Sequence, residues 1–249
     1  AAVYIVNDIR DRNSDRNHPV KAQQRPLASG TVSVSAALIL LLAIYLLLAL
    51  CWFIAADTVQ VIVFYIVLNL AYTFYLKHIA VVDIFCIACG FVLRLYAGAV
   101  AIDVPLSALM FITTLCLALY LAAIKRRQEL KLSGGETRQV LQKYSDVLLE
   151  RYALMSATSA LMFYSMYVFS EHEQLELSIP LVLFGLYRYW YVVEKQDKGE
   201  SPTDVILKDL PLLLCGGLWL VVCLLIMIME QGYCLLRSDE RAEGKGGWV

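Results

Sequence analysis

The sequence has few charged residues and no excess of either charge. Asp, Glu, Lys and Arg make up 17% of its 249 residues, and the formal net charge is −1. This balance argues against a basic nucleic-acid-binding surface and against an acidic solvated tail, so no nucleic-acid partner is expected. By contrast, 60% of the residues are hydrophobic and the mean hydropathy is +0.65. These values exceed those of soluble globular domains and predict an integral membrane protein.

The seven cysteines do not form the framework of a secreted, disulfide-rich domain. Most lie in apolar stretches, where cysteine behaves as a small hydrophobic residue. Cys86 and Cys89 form a Cys-x-x-Cys pair, but no second pair follows at the spacing of a metal site. We interpret both as packing residues.

Long apolar stretches between the few charges predict an all-α, polytopic membrane helix bundle, with residues 1–249 as a single domain. A helix needs ~20 apolar residues to cross ~30 Å of hydrocarbon. The short alternating segments of a membrane barrel are absent, so the spans should be helices. Seven spans are predicted, near residues 32–56, 58–76, 84–102, 104–124, 152–170, 177–193 and 210–229.

Lysine and arginine predict the orientation of these spans. They concentrate in residues 7–30, at Lys77, and in residues 125–151 and 195–208, which all fall on one side. The positive-inside rule makes that side cytoplasmic, so a multi-pass protein of the cytoplasmic (inner) membrane is expected. The chain opens on six apolar residues without an initiator Met. Six residues cannot cross the bilayer, so we expect at least one helix to precede them.

The first charged segment places Asn7, Asp8, Asp11 and Asp15 at spacings of three or four residues. On a continuing helix they would share one face, where the carboxylates repel one another. A hard cation would relieve this repulsion, and oxygen ligands beside a cytoplasmic loop suit Mg²⁺ bridging to substrate phosphates. The alternative is a solvated helix end whose acids are neutralised by three neighbouring arginines, Arg10, Arg12 and Arg16.

A turn-rich segment, residues 18–30, follows with two cations, Lys21 and Arg25. A flexible arm of this composition can close over a phosphate. It can equally be a basic juxtamembrane loop that touches anionic lipid.

Asn7-Asp8-x-x-Asp11-x-x-x-Asp15, followed by Arg25-Pro26-Leu27-x-Ser29-Gly30, resembles the first signature of the UbiA superfamily of intramembrane prenyltransferases. The resemblance implies a bundle of nine helices in which this motif binds Mg²⁺ and a phosphorylated substrate. About seven of the nine would be present here, without the first helix and most of the second.

A second segment narrows the resemblance. Members that use a prenyl diphosphate carry a second acidic motif, D-x-x-x-D, in the loop after the sixth helix, where this chain has Lys125-Arg126-Arg127-Gln128-Glu129. From Asn7 to about Asp209 the chain is similar to the phosphoribosyltransferase branch, as judged also from Tyr75–His78, Asp83, Gly90–Arg94, Ala97–Ala99 and Arg188-Tyr189. The branch implies an enzyme that transfers phosphoribose from phosphoribosyl pyrophosphate to a polyprenyl phosphate.

Such a reaction brings three anionic groups together near the membrane and needs additional cations. The candidates are Lys77, Arg94, Lys125, Arg126 and Arg188. In the hypothesised mechanism, Mg²⁺ held by Asp8, Asp11 and Asn7 binds the leaving pyrophosphate, while the basic residues, Arg94 and Lys125 among them, stabilise the developing charge. Asp15 positions the acceptor or binds a second metal ion.

Several of these residues have simpler explanations. Arg94 lies deep in a span, where a charge costs at least ~3 kcal/mol, so it should face the interior or a cavity. The alternative is a structural pair with Asp83 or another buried carboxylate. Arg188 can snorkel to the interface. Glu129 can complete the metal shell or orient Lys125 and Arg126.

Two further segments are predicted to be helical. Residues 137–151 have apolar side chains at helical spacing and should form a surface helix or a lid. Ser201, Pro202 and Asp204 form a typical helix start. No role is assigned to Asp209.

Two rival functions remain. One is a prenyltransferase that uses a polyprenyl diphosphate and an aromatic acceptor, against which Lys125-Arg126-Arg127 argues. The other is an anion transporter with Arg94 and Arg188 along its path. A transporter needs polar residues through the whole bilayer, whereas here they crowd the cytoplasmic side.

Overall fold

The computed structural model of the chain describes residues 2–16, 25–133, 139–196 and 207–243, and it describes the side chains of these ranges except at 13–15, 132–133, 139, 196 and 230–243. Within these ranges the chain is helical and contains no β-strand, which confirms the all-α prediction. The helices are α1 (Ala2–Arg16), α2 (Pro26–Ser29), α3 (Val34–Cys51), α4 (Ala56–Phe74), α5 (Val82–Ala101), α6 (Ala108–Ser133), α7 (Asp146–Glu171), α8 (Ile179–Gln196) and α9 (Leu210–Glu243). Short 3-10 segments occupy Leu76–His78, Gln139–Lys143 and Glu173–Ser178.

Six helical segments are long and apolar enough to cross a membrane. They lie in α3 to α7 and at Leu210–Met229 of α9. These segments confirm six of the predicted spans. The seventh predicted span, near residues 177–193, lies on α8 and is not among these six segments. The 18 residues of α8 include three charged ones, Arg188, Glu194 and Lys195, and are therefore less apolar.

The helices pack into two compact units, Ala1–Leu106 and Ser107–Val249. The assignment of the whole chain to one domain stays a prediction. In the first unit, α4 packs against α5, and the Tyr65 ring lies 3.7 Å from the position that a Cβ at Gly90 would occupy. Because Gly90 has no side chain, α4 can approach α5 closely at this point.

In the second unit, the core lies between α6, α7, α8 and the start of α9. The buried residues at its centre include Tyr120, Ala153, Tyr189 and Val192. The Tyr120 ring contacts Tyr189 edge-on and stacks on Trp190, with centroids 5.8 and 6.0 Å apart. This core holds together the ends of three helices that carry charged residues.

The prediction of a loop after Ile124 is wrong. Helix α6 continues to Ser133, so Lys125 to Glu129 lie on helical turns. Hydropathy shows only where the apolar stretch ends. The helix continues beyond that point because its charged side chains form ion pairs there.

The prediction of a surface helix at residues 137–151 is also wrong, whereas a lid over the site stays a prediction. The described part of this segment is a 3-10 turn at Gln139–Lys143, and α7 begins at Asp146. Ser145 ends the turn and caps α7 by accepting a hydrogen bond from the backbone N–H of Leu148. Val140 and Leu141 are 0% exposed, so the apolar side chains of the turn pack inside the second unit and do not face the membrane surface.

Candidate active site

Helix α1 presents the first acidic motif, and each of two carboxylates has a cationic partner from elsewhere in the first unit. Asp8 accepts a hydrogen bond from Nη1 of Arg25. Asp11 Oδ2 lies 3.9 Å from Nζ of Lys77, in the 3-10 segment after α4. Two predicted acids and two predicted cations therefore come together.

The arginines of α1 bind other groups. Arg10 donates to the Thr73 carbonyl and lies over the Phe74 ring, 4.6 Å from its centroid. Arg12 and Arg16 donate through Nε, each at 3.2 Å, to the carbonyls of α2 residues Leu27 and Ala28. Within the described ranges none of the three arginines pairs with a carboxylate. For Asp8 and Asp11, these contacts argue against the alternative in which the three arginines neutralise the acids. The same contacts fix α1 against α2 and the end of α4.

The donor set suits a hard cation. Asp8 and Asp11 are one helical turn apart, and their carboxylates and the Asn7 amide offer oxygen ligands of the kind that Mg²⁺ prefers. Among the described residues, no three His, Cys, Asp or Glu side chains are grouped so that they could hold a metal ion. The Asp15 side chain and all of Lys21 lie outside the described part of the chain.

Arg94 on α5 is satisfied by aromatic residues. Its Nη2 donates to the hydroxyl of Tyr65 at 2.6 Å, and its guanidinium lies over the rings of Tyr65 and Phe91, 5.0 and 5.1 Å from their centroids. The described contacts of Arg94 include no carboxylate, so the alternative pairing with Asp83 is not formed. Its side chain is exposed on the first unit, and Asp83 is buried.

The second unit carries the basic segment on the last turns of α6. Arg126 is only 1% exposed and forms an ion pair with Glu129 one turn later. This pair matches the prediction in which Glu129 orients a cation. Lys125 is half-buried on the same turn.

Arg127 is the centre of an ion-pair network. Its guanidinium donates to Asp146 at 2.8 and 3.1 Å, to Glu150 at 3.3 Å and to Glu194 at 2.7 Å. Lys131 also reaches Glu194, at 3.2 Å. Burial alone would raise the pKa of Glu194, but the hydrogen bonds from Lys131 and Arg127 outweigh it and leave the pKa below its usual value. The network connects the end of α6 to the start of α7 and the end of α8.

Arg188 on α8 forms a bidentate ion pair with Asp209, at 3.0 and 2.9 Å. Asp209 also caps α9, because its Oδ1 accepts the backbone N–H of Leu212 at 3.0 Å. The Arg188 guanidinium lowers the pKa of the Asp209 carboxyl. Asp209, whose role the sequence does not predict, thus joins α8 to the start of α9. The predicted helix start at residues 201–204 lies outside the described residues.

Replacing Asp209 separates these two roles. Asp209→Ala should lower the thermal midpoint more than Asp209→Asn, because Asn caps a helix as well as Asp and loss of the cap alone costs about 1 kcal/mol. The lowered pKa of Asp209 means that the ion pair stabilises the protein above the unfolded pKa of ~3.9 and that this contribution is lost as pH falls through the folded pKa. The wild type should therefore lose its advantage over Asp209→Asn in acid, as measured by thermal unfolding in detergent. Equal midpoints for both variants at neutral pH would contradict the capping role.

Sequence reasoning overlooked Arg127 and Tyr65 as partners of charged groups. Arg127 could have been recognised because it directly follows two other cations, Lys125 and Arg126, and three adjacent positive charges need negative partners. Tyr65 could have been recognised because its hydroxyl lies in the middle of an apolar span, where a polar group needs a partner.

A helical, multi-pass membrane protein that gathers carboxylates and cations at its helix ends is the class that this fold and these clusters define. Residues 1–205 match the UbiA prenyltransferase family, and the chain belongs to that family. The predicted family is thereby confirmed, and the chain is a membrane transferase enzyme.

Two curated relatives carry the name decaprenyl-phosphate phosphoribosyltransferase. The protein of Mycolicibacterium smegmatis is 34% identical over 227 residues, which cover 84% of this chain and 70% of the relative. That of Corynebacterium glutamicum is 33% identical over 241 residues, which cover 92% and 72%. The solved structure of a UbiA homologue from Archaeoglobus fulgidus bound to GPP and Mg²⁺ matches with a TM-score of 0.68 and 17% identity, covering 90% of this chain and 82% of that one. This match confirms the UbiA-like membrane fold.

Proposed function

We propose that this enzyme transfers the 5-phosphoribosyl group of phosphoribosyl pyrophosphate to a polyprenyl phosphate, with Mg²⁺ as cofactor and at the cytoplasmic face of the membrane. The bond from ribose C1 to the pyrophosphate oxygen breaks, and pyrophosphate leaves with the electron pair. A new bond forms between C1 and an oxygen of the acceptor phosphate. In-line attack would invert the configuration at C1.

The observation that carries this proposal is the extent of the similarity to relatives named for this reaction. One third of the residues are identical over most of the chain. The basic turn that begins at Lys125 supports the same choice, since a donor with an additional phosphate needs cations where a prenyl diphosphate enzyme has carboxylates.

The first unit suits the pyrophosphate of the donor. Bound there by Asp8, Asp11 and the Asn7 amide, Mg²⁺ would neutralise charge on the leaving pyrophosphate. Arg25 and Lys77 already lie at these carboxylates, so both cations are placed to contact the same phosphates. The Arg25 guanidinium can bind a phosphate through two parallel hydrogen bonds, whereas Lys77 acts as a point charge.

The acceptor needs no strong general base. A phosphate monoester has a second pKa of about 6 and is largely dianionic at pH 7, so its oxygen is already a nucleophile. Electrostatic stabilisation is then the main task of the protein, and Arg94, Lys125, Arg126 and Arg188 are the proposed contributors. Glu129 holds the Arg126 guanidinium in place, and Asp209 holds that of Arg188. Both positive charges are therefore fixed before the substrates bind. Asp15 and Lys21 stay candidates at the first unit.

The proposed location of the site follows from the charge pattern. Lysine and arginine concentrate in the segments that follow α1, α6 and α8. The positive-inside rule makes the side on which these segments lie cytoplasmic. We therefore place the protein in the cytoplasmic membrane, with both soluble phosphoribosyl pyrophosphate and the lipid phosphate reaching the site from that side.

The test uses membranes that contain the protein, supplied with phosphoribosyl pyrophosphate, decaprenyl phosphate and Mg²⁺, and analysed for a phosphoribosylated lipid by mass spectrometry. Product that disappears on addition of EDTA and returns with Mg²⁺ is the expected result. Prenylation of an aromatic acid from a polyprenyl diphosphate, without phosphoribosylated lipid, would overturn the proposal.

Arg25→Gln should raise the KM for phosphoribosyl pyrophosphate by about tenfold to a hundredfold, because it removes charge-assisted hydrogen bonds to phosphate worth ~1.5–3 kcal/mol. The kcat should fall less, since the metal and the remaining cations still act on the leaving group. Initial rates over a range of donor concentrations measure both constants. The matched control is Lys208→Met, which removes an exposed cation outside the proposed contacts. An unchanged KM in Arg25→Gln would assign Arg25 to structure alone.

A further inference from the structure

The second unit contains an apolar groove of about 700 Å³ between α7 and α8. On α7 it is lined by Leu154, Ala157, Thr158 and Leu161, whose spacing places them on one helical face. On α8 the lining residues follow the same spacing: Leu183, Leu186, Tyr187, Trp190, Tyr191 and Glu194. Stripes of this kind normally pack against each other, but here they face one another across a cavity floored by Tyr120.

The groove is open at its side and suited to an apolar chain. Leu154 is 50% exposed and Tyr187 is 71% exposed. Pockets of ~300–1,000 Å³ with mostly apolar walls and a few polar groups are typical ligand sites. Leu186 and Trp190 of the wall also pack against the core around Tyr120. The exposed sides of the wall have no such contacts, and in a bilayer the molecules available to cover them are lipid chains.

The length of the groove matches one leaflet. From Leu183 to Lys195 the helix rises by about 18 Å, at 1.5 Å per residue. The hydrocarbon of a single leaflet is about half of 30 Å. A lipid chain lying in the groove would therefore place its head group at the level of Lys195.

The head-group end carries a cation that no carboxylate neutralises within the described part of the chain. Lys195 Nζ lies over the Tyr191 ring, 5.6 Å from its centroid. The neighbouring Glu194 is bound by Arg127 and Lys131, so its charge is already compensated. A positive charge at the interface end of an apolar groove is complementary to a lipid phosphate.

We infer that this groove binds one anionic phospholipid of the surrounding leaflet, with an acyl chain between α7 and α8 and the phosphate at Lys195. The residues that line the groove are not among those proposed to contact the substrates, but the groove adjoins them, because the Arg188 guanidinium lies over the Tyr191 ring, 5.2 Å from its centroid. Tyr187, Trp190 and Tyr191 contribute the amphipathic rings that are typical of this depth in the membrane.

The test is native mass spectrometry of the protein released from nanodiscs of phosphatidylcholine and phosphatidylglycerol. The wild type should retain one phospholipid per chain, enriched in phosphatidylglycerol over the bulk ratio. Ala157→Phe, which fills the middle of the groove, should lose the retained lipid. Met155→Phe is the control on the exposed face of the same helix and should keep it. Retention by Ala157→Phe, or no retained lipid in the wild type, would overturn the site.

The role of Lys195 is tested without changing the groove. Lys195→Met should retain a phospholipid but lose about fivefold of its preference for phosphatidylglycerol, since one basic residue at the interface is worth ~1 kcal/mol. Lys208→Met, an exposed cation outside the groove, should keep the preference. An unchanged preference in Lys195→Met would overturn the phosphate contact. Displacement of the phospholipid by equimolar decaprenyl phosphate would overturn the choice of occupant and give the groove to the acceptor chain.

Discussion

Asp11→Asn is expected to reduce Mg²⁺-dependent formation of the phosphoribosylated lipid by about 10²- to 10³-fold. The substitution keeps the size of the side chain but removes one of the two described carboxylates that are proposed to hold the metal ion. It also removes one ionic contact of Lys77. Both changes weaken the stabilisation of the leaving pyrophosphate.

The fold should survive this substitution. The Asp11 side chain is 32% exposed, and its ion pair with Lys77 spans 3.9 Å. Ion pairs of this kind contribute about 0–1 kcal/mol to stability. Helix α1 is fixed independently by Arg10, Arg12 and Arg16 through backbone carbonyls. The thermal midpoint of Asp11→Asn should therefore stay close to that of the wild type.

The matched control is Asp57→Asn, at an exposed position in the first turn of α4. It makes the same change in charge at the end of α4 that is opposite to Lys77, and it should keep normal turnover. Binding of Mn²⁺ measured by electron paramagnetic resonance gives a readout that does not depend on turnover. Normal turnover and normal Mn²⁺ binding in Asp11→Asn would remove Asp11 from the metal site.

The membrane spans were predictable from the sequence because they depend on local composition. A stretch such as Val34–Cys51 is apolar throughout, and its length alone decides what it can be. The end of α6 was not predictable in this way. The end of the apolar stretch predicts a loop from Lys125, but the helix continues for about two more turns, because Arg126 and Arg127 form ion pairs with carboxylates there.

The candidate site was predictable only as far as its residues share a helix turn. The spacing of Asp8 and Asp11 identified the acidic face, and the composition of residues 18–30 identified Arg25. The ion pairs of Asp8 with Arg25 and of Asp11 with Lys77 depend on how α1 packs against segments distant in sequence. The same holds for Arg188 and Asp209, which are 21 positions apart. Local patterns select the residue types, and tertiary packing selects the partners.

Arg127→Met is expected to lower the free energy of unfolding by about 2–4 kcal/mol. The Arg127 side chain is 8% exposed and has three carboxylate partners, so its loss breaks several charge-assisted hydrogen bonds at once. Removing one partner of a fully buried pair costs up to ~5 kcal/mol, but here the carboxylates are between 40% and 46% exposed and can be hydrated. Repulsion among them adds to the loss.

The expected effect depends on pH in a defined direction. The pKa of Glu194 lies below its usual value, so its ion pairs stabilise the protein above the unfolded pKa of ~4.3. That contribution disappears as pH falls through the lower, folded pKa, and the difference between wild type and Arg127→Met should shrink with it. Unfolding in mixed detergent micelles, followed by circular dichroism at several pH values, measures the difference.

Arg151→Met is the matched control for Arg127→Met, because it removes an exposed arginine from α7 outside the network. It should change stability by less than about 0.5 kcal/mol. Arg127→Lys adds a second comparison, since it keeps the positive charge but loses the paired hydrogen bonds to Asp146. A cost for Arg127→Met equal to that of the control would show that the ends of α6, α7 and α8 are held by the apolar core around Tyr120 alone. If the stability loss of Arg127→Lys lies between those of Arg151→Met and Arg127→Met, the loss that remains with lysine is due to the missing guanidinium geometry.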